Sequence, residues 1–286
     1  MTQENRRRCF AYPCVALVLA TLVYAGGFRP FPEGEPDLGT MINGADILAK
    51  VGAHDKAIQE CEKVLERDPG NLQAHLILAF SHDCSDRYED ALETYERASG
   101  LCTDDEDLAL HIRLSIADLH RRYERPQEAI LETRNLEDSE GCLPRAKLVR
   151  GLSEQALGNF DLAVETFREV TSGPHSSAEG ANAEKLAELY LAHALLAGGR
   201  YPEAEEAFTR LAAGSADPGH PFHLAIARAA SGDDEGMYEA LEATFELSRG
   251  LLRNRLLEEP AFVNRFGEAR FEALLDRVFE EPVATS

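Results

Sequence analysis

Five stretches of the chain repeat one arrangement of apolar and polar positions. They are HDKAIQECEKV from His54, RYEDALETYERA from Arg87, RPQEAILETRNL from Arg125, NFDLAVETFREV from Asn159 and RYPEAEEAFTRL from Arg200. Each centres on an alanine (Ala57, Ala91, Ala129, Ala163 and Ala204), at spacings of 34, 38, 34 and 41 residues. Three positions earlier stand His54, Tyr88, Pro126, Phe160 and Tyr201, and four later stand Cys61, Tyr95, Thr133, Phe167 and Phe208. Seven later come Val64, Ala98, Leu136, Val170 and Leu211. Twelve earlier, every residue is small: Ala45, Ala79, Ala117, Gly151 and Ala192. Positions three, four and seven apart share one helix face, so each alanine centres a helix. The small residue twelve back lies on a preceding helix, where it lets the two backbones approach closely. Gly52, Gly158 and Gly199 fall where the chain must turn between the two helices. Pro69, Pro174 and Pro218 fall at or near repeat ends, where helices stop. The pattern predicts helical hairpins over 38–71, 72–105, 110–143, 144–177 and 185–218, with the extra residues 106–109 and 178–184 lying between repeats.

Paired helices with a period near 34 residues and these small and ring positions resemble the tetratricopeptide repeat family. The resemblance covers residues 38 to 218 and is specific in spacing but degenerate in identity. No tryptophan occurs, and the third repeat keeps Ala117 and Ala129 but little else. It implies an all-α fold, a right-handed α-solenoid of about five hairpins. Residues 219–286 add a divergent hairpin, HPFHLAIARAASGDDEGMYEALEATFEL, and a tail, LLEEPAFVNRFGEARFEALLDRV, similar to the closing segment of some bacterial arrays of this family. A solenoid's last repeat exposes an apolar face, which Phe262, Phe266, Phe271, Leu274 and Leu275 are expected to cover; a docking surface is the alternative.

In this family the first helices of successive repeats line a concave groove for an extended peptide or partner helix. Carried across residue by residue, that groove presents Leu76, Ile77 and Phe80, then Leu114, Asp118, Arg121 and Arg122. Arg145, Leu148 and Leu152 follow, then Leu189, Tyr190 and His193. The family's clamp of Lys and Asn for a C-terminal carboxylate has no counterpart, since its positions hold Ile42, Asp46, Ile77, His111 and Ser115. Binding of a chaperone's acidic tail is therefore not expected.

The N-terminus has a different pattern. After Arg6, Arg7 and Arg8, residues 9–28 run twenty positions without a charge. A helix of that length spans roughly 30 Å, a bilayer core, and the arginines would hold residues 1–30 as an anchor with its N-terminus in the cytoplasm. A cleavable signal peptide, cut near Val23-Tyr24-Ala25, is the alternative, leaving a secreted or periplasmic protein. Either reading exports the body. Residues 31–39, rich in proline and glycine, read as a linker.

Charge narrows the partner class. Formal net charge is −22 over 286 residues, a balance that repels nucleic acid and anionic lipid headgroups at long range. Within 111–150, eight basic residues stand against seven acidic ones. Arg121, Arg122 and Arg145 are therefore candidate receivers for an acidic segment of a partner, with Leu148 and Leu152 as apolar contacts; pairing with nearby acids is the alternative.

Chemistry-bearing motifs are not found. The chain has no HExxH, GxSxG, GxGxxG, GxxxxGK[ST] or CxxC, so no enzyme activity, cofactor, metal or small-molecule substrate is expected. Of the cysteines beyond residue 28, only Cys102 and Cys142 occupy equivalent ends of adjacent repeats and are a conceivable disulfide; free thiols packed as small hydrophobes are the default. His75, His111, His120, His193, His220 and His223 show no ligand spacing. The expected function is a membrane-tethered scaffold that binds proteins through its groove, in assembly, secretion or quality control of envelope proteins. The alternatives are an accessory subunit of a membrane complex and, third, an enzyme with an unrecognised site.

Overall fold

The computed structural model describes residues 36–103, 105–134, 136, 143–173 and 178–280. The uncharged segment 9–28 and Cys142 lie outside them. Among the described residues all regular structure is helical, and no helix is long and apolar enough to cross a membrane. The chain divides into two compact units, 1–146 and 147–286.

The first unit contains α1 (Leu38–Lys50), α2 (His54–Arg67), α3 (Leu72–Cys84), α4 (Tyr88–Leu101), α5 (Glu106–Arg122) and α6 (Pro126–Arg134). The next helix, α7 (Leu143–Ala156), begins in it. First helices start where a side chain caps the orphan amides. Asp37 accepts from Thr40 N at 2.9 Å, Asn71 from Ala74 N at 3.0 Å and Asp105 from Leu108 N at 2.9 Å. From α1 to α6 each helix packs on the next in sequence, and α1 also touches α3. The contacts form where the sequence placed small residues: Ala45, Ala79, Ala117, Ala57, Ala91 and Ala129 have no exposed surface. Cys61, Tyr95, Thr133, Val64, Ala98 and Leu136 fill the space between helices.

Every hairpin turn needs one residue in the left-handed region to redirect the chain. Gly52 supplies it between α1 and α2, at φ 80°. In the next two hairpins that place falls to Asp86 (φ 58°) and Glu124 (φ 60°), residues with a Cβ that makes this conformation costly.

The second unit contains the rest of α7, then α8 (Phe160–Thr171), α9 (Ala178–Ala197), α10 (Tyr201–Ala212), α11 (Gly219–Ser231) and α12 (Asp234–Leu247). A short α13 (Arg249–Arg255), a 3₁₀ turn (Pro260–Arg265) and α14 (Ala269–Phe279) complete it. Ala163, Ala192, Ala204, Phe167 and Phe208 are fully buried, as their register requires. At Gly151, a Cβ would stand 2.6 Å from Phe167 Cε1, so only glycine leaves room for that ring.

Two expectations change. Residues 106–109 and 178–184 were expected to lie between repeats; instead they extend α5 and α9 at their N-termini. Asp105 caps the first of these early starts, and the alanine- and glutamate-rich run AEGANAEKL favours helix in the second. In the tail, Phe262 and Phe271 are fully buried and Leu274 nearly so, while Leu275 packs at the core's edge. Phe266 instead remains 43% exposed, its ring meeting only that of Phe271, at 5.3 Å, among the ring contacts. Ion pairs fasten α14 and the 3₁₀ turn to α12: Arg265 to Asp234, Arg270 to Glu235 at 2.6 Å and Arg277 to Glu242 at 2.7 Å.

Candidate functional site

In the first unit the expected groove residues separate into core and network. Ile77 and Leu114 have essentially no exposed surface, and Leu76 is buried. These three side chains hold α3 and α5 in place and present little to a ligand. Phe80 keeps some surface, with His54 edge-on at 5.9 Å.

Asp118, Arg121 and Arg122 come together with a fourth residue, Asp83 of α3. Arg122 grips Asp83 with both terminal nitrogens, Nη1 to Oδ1 at 2.6 Å and Nη2 to Oδ2 at 2.5 Å. Its Nε donates to Asp118 Oδ2 at 3.1 Å. Arg121 donates twice to Asp118 Oδ1, from Nε at 2.9 Å and Nη2 at 2.7 Å. Tyr123 donates its hydroxyl to the Asp83 carbonyl at 3.1 Å. Burial alone would raise the Asp118 carboxyl, but the two guanidinium groups outweigh it and hold it below its usual range. Burial, then the Asp83 carboxylate, push the Tyr95 hydroxyl up. Two cations and two anions close on themselves, so the arrangement ties α3 to α5. The geometry at Arg121 and Arg122 is the pairing with nearby acids, with the charge of both already engaged. Asp83 had one legible signal: an acid four residues after Ala79, where the next repeat places Arg121 four after Ala117.

In the second unit, α7 carries Leu148, which is buried, and Leu152, which is half-buried; Arg145, half-buried, lies just before the boundary. Lys147 pairs with Glu169 of α8 at 2.6 Å. On α9, Leu189, Tyr190 and His193 are all half-buried. Tyr190 lies over Phe167 at 6.0 Å, and His193 meets Phe208 edge-on at 5.3 Å. His193 also meets His223 of α11, with ring centroids 4.5 Å apart. His223 Nδ1 stands 2.7 Å from the Gly219 carbonyl, a contact that fixes Nδ1 as the donor. Burial, reinforced by His193, lowers the His223 imidazole to about 4, and burial followed by His220 lowers that of His193. Arg255, past the end of α12, sits 5.1 Å above the Phe222 ring. The grouping of His220 and His223 with Arg255 was not legible in the sequence, because the divergent sixth hairpin lacks the small-residue register that assigns positions.

Reactive chemistry finds little support. Burial pushes the Cys61 thiol up to about 12, too high for a nucleophile at neutral pH. The Cys102–Cys142 pairing involves a residue outside those described. Among the described residues no group of three or more His, Cys, Asp or Glu side chains could hold a metal ion.

Comparison with known proteins agrees on the architecture. Residues 48–113 match the family model described as tetratricopeptide repeat. Among solved structures, the C-terminal part of a tetratricopeptide repeat-containing protein from Cytophaga hutchinsonii superposes with TM-score 0.64 at 14% identity, covering 83% of this chain and 93% of that one. PilW, described as a widely conserved type IV pilus biogenesis factor, gives TM-score 0.59 at 16% identity, over 80% of this chain and 97% of that one. The pilF protein of Pseudomonas aeruginosa gives 0.56 at 16%, over 78% and 97%. No curated protein matches the chain in sequence.

Proposed function

We propose, from the premise that the chain is a tetratricopeptide repeat protein, that it is a protein-interaction scaffold whose first helices receive a segment of a partner. The observation that carries this is the burial pattern of those helices. Their small residues are consumed in hairpin packing, while Phe80 in the first unit, and Leu152, Leu189, Tyr190 and His193 in the second, keep surface. Such half-buried apolar and ring groups on a rigid frame suit binding, because little side-chain freedom remains to be lost on contact. In the first unit, buried Ile77 and Leu114 support that frame.

The uncharged run 9–28 supports membrane tethering, with the N-terminus cytoplasmic and the repeats outside. Tethering would raise the effective concentration of the scaffold for envelope partners. Assembly, secretion or quality control of such partners fits this placement. The pilus role belongs to PilW, and at 16% identity the likeness carries fold alone. A second reading, a permanent accessory subunit docked through the tail, is favoured by the exposure of Leu257, Val263 and Phe266.

The test is crosslinking of the full chain in its native membrane, with partners identified by mass spectrometry, beside a variant carrying Leu152→Asp and Tyr190→Ala. Loss of a defined partner in the variant is the expected result. Retention of that partner, with loss instead in Val263→Asp, would replace the groove reading by the accessory-subunit one. N-terminal sequencing of the mature protein separates anchor from signal peptide.

A further inference from the structure

We infer that the second unit carries an acid-recognising subsite, formed by Arg255, His193, His220 and His223, which takes a carboxylate-bearing segment of a protein partner. The inference rests on the scaffold reading and narrows it to a ligand chemistry and a place.

The four groups come from three elements. His193 lies on α9, His220 and His223 one turn apart on α11, and Arg255 ends α13. The His193 and His223 rings meet at 4.5 Å, and Arg255 rides over Phe222, the residue between the two α11 histidines and next to His223. Arg255 and His220 both act electrostatically on His193 and on His223, so all four share one neighbourhood.

Charge matching and the neighbouring imidazoles together mark the place out. In this unit Arg228 is answered by Glu205 at 3.0 Å, Arg265 by Asp234, Arg270 by Glu235 and Arg277 by Glu242, while Arg249 donates to the Val278 and Glu280 carbonyls and Arg253 lies over the Phe279 ring, away from the histidines. Among the described residues Arg255 has no ion pair, although the chain as a whole carries 51 acidic side chains against 29 basic ones. Its five N–H donors are left with a ring for company. The acids nearby are engaged or turned outward. Asp217 Oδ2 approaches His220 Nε2 only to 3.9 Å and is mostly exposed; Glu259 accepts from Ala261 N at 3.4 Å; Glu258 is exposed. His220 Nδ1 is buried with no hydrogen-bond partner. The guanidinium fork over the Phe222 ring and the buried, unpartnered His220 Nδ1 offer a carboxylate charge-assisted hydrogen bonds.

A protein carboxylate fits better than a polyanion. The net charge of −22 repels nucleic acid and anionic bilayers over long distances, whereas one or two carboxylates on a peptide meet that field only weakly. Burial leaves His193 and His223 uncharged near neutral pH, so a bound carboxylate draws protons onto them and binding strengthens as pH falls.

The test uses the full chain in neutral detergent and fluorescein-labelled hexaglutamate, read by anisotropy at pH 5.5 and 7.5. Hexaglutamate should bind about tenfold tighter at pH 5.5, and Arg255→Gln should weaken it about tenfold. Arg121→Gln should leave it unchanged. Arg255 is exposed and has no ion pair, so its variant should keep the parent melting temperature, which excludes misfolding. Equal binding by Arg255→Gln, equal binding of hexaglutamine, or full competition by equimolar inorganic phosphate or phosphatidylserine vesicles would each overturn the inference. A partner still captured through Leu152 and Tyr190 while hexaglutamate fails to bind would remove this subsite and leave the scaffold.

Discussion

Replacing Gly151 with alanine sets two known effects against each other inside a fully packed hairpin. Alanine in a helix interior is worth about 1 kcal/mol over glycine. Against it stands the Phe167 ring, which has no exposed surface and would lie 2.6 Å from the new Cβ at Cε1 and 2.9 Å at both Cδ1 and Cζ. Real Cβ atoms do not approach ring carbons that closely, and the fully buried ring, with Tyr190 stacked on it at 6.0 Å, has little room to turn. Overpacking of this kind costs about 1–3 kcal/mol. The cost exceeds the propensity gain over most of that range, so Gly151→Ala should destabilise the second unit by up to about 2 kcal/mol. The assay is urea unfolding of the full chain followed by far-UV circular dichroism, reading a lower midpoint at unchanged slope. A second variant isolates the cause: adding Phe167→Leu to Gly151→Ala should recover part of the loss relative to the sum of the single changes. If Gly151→Ala is as stable as the parent or more so, the ring does not hold that position and the reasoning fails.

Four further outcomes follow from the same geometry. Arg122→Gln leaves Asp83 buried without its bidentate partner and should lower stability by about 2–4 kcal/mol, measured by thermal melting, whereas Arg210→Gln, an exposed pair with Glu206 at 2.7 Å, should cost under about 0.5 kcal/mol. Glu124→Gly relieves a left-handed residue carrying a Cβ, at φ 60°, and should raise the urea midpoint by about 1 kcal/mol equivalent; a lower midpoint would mean that the side chain supplies more than the strain removes. The His223 imidazole is lowered to about 4 from its ordinary 6.5, so its contribution is fully present above pH 6.5 and is lost as pH falls from there toward 4. His223→Gln should accordingly flatten the stability profile between pH 6.5 and 4 by roughly 2–3 kcal/mol. Asp118, held below its usual value, acts in a lower window: its contribution persists at neutral pH and is lost only as pH falls through that lowered value.

The hairpins could be read in the sequence because close helix packing accepts only small residues at fixed positions, and Ala57, Ala91, Ala129, Ala163 and Ala204 record those contacts directly. The turns were half legible. Gly52, Gly158 and Gly199 announced themselves, but Asp86 and Glu124 take the same left-handed conformation without the residue type that signals it. The Asp83–Arg122 pair joins residues 39 apart on helices of neighbouring repeats. Such pairing depends on where each side chain points, which periodicity does not encode. That is why the sequence left Arg121 and Arg122 open between a partner's acids and nearby ones, and only the structure shows the pairing. Leu114 and Ile77 read as groove residues for a related reason: a helix shows the same spacing on its core and groove faces, and only the packed neighbours decide between them. The cluster around His223 stayed hidden because the sixth hairpin has drifted from the register on which every position was assigned.

The central claim is that a partner is received on the first helices. A photo-crosslinking amino acid placed singly at Phe80, Leu152 or Tyr190, and for comparison at the exposed second-helix residues Leu131 and Leu162, tests it in the full chain in its native cells. The account predicts a defined crosslinked partner from the first-helix positions and none from Leu131 or Leu162. Crosslinks confined to Leu131 and Leu162 would contradict it.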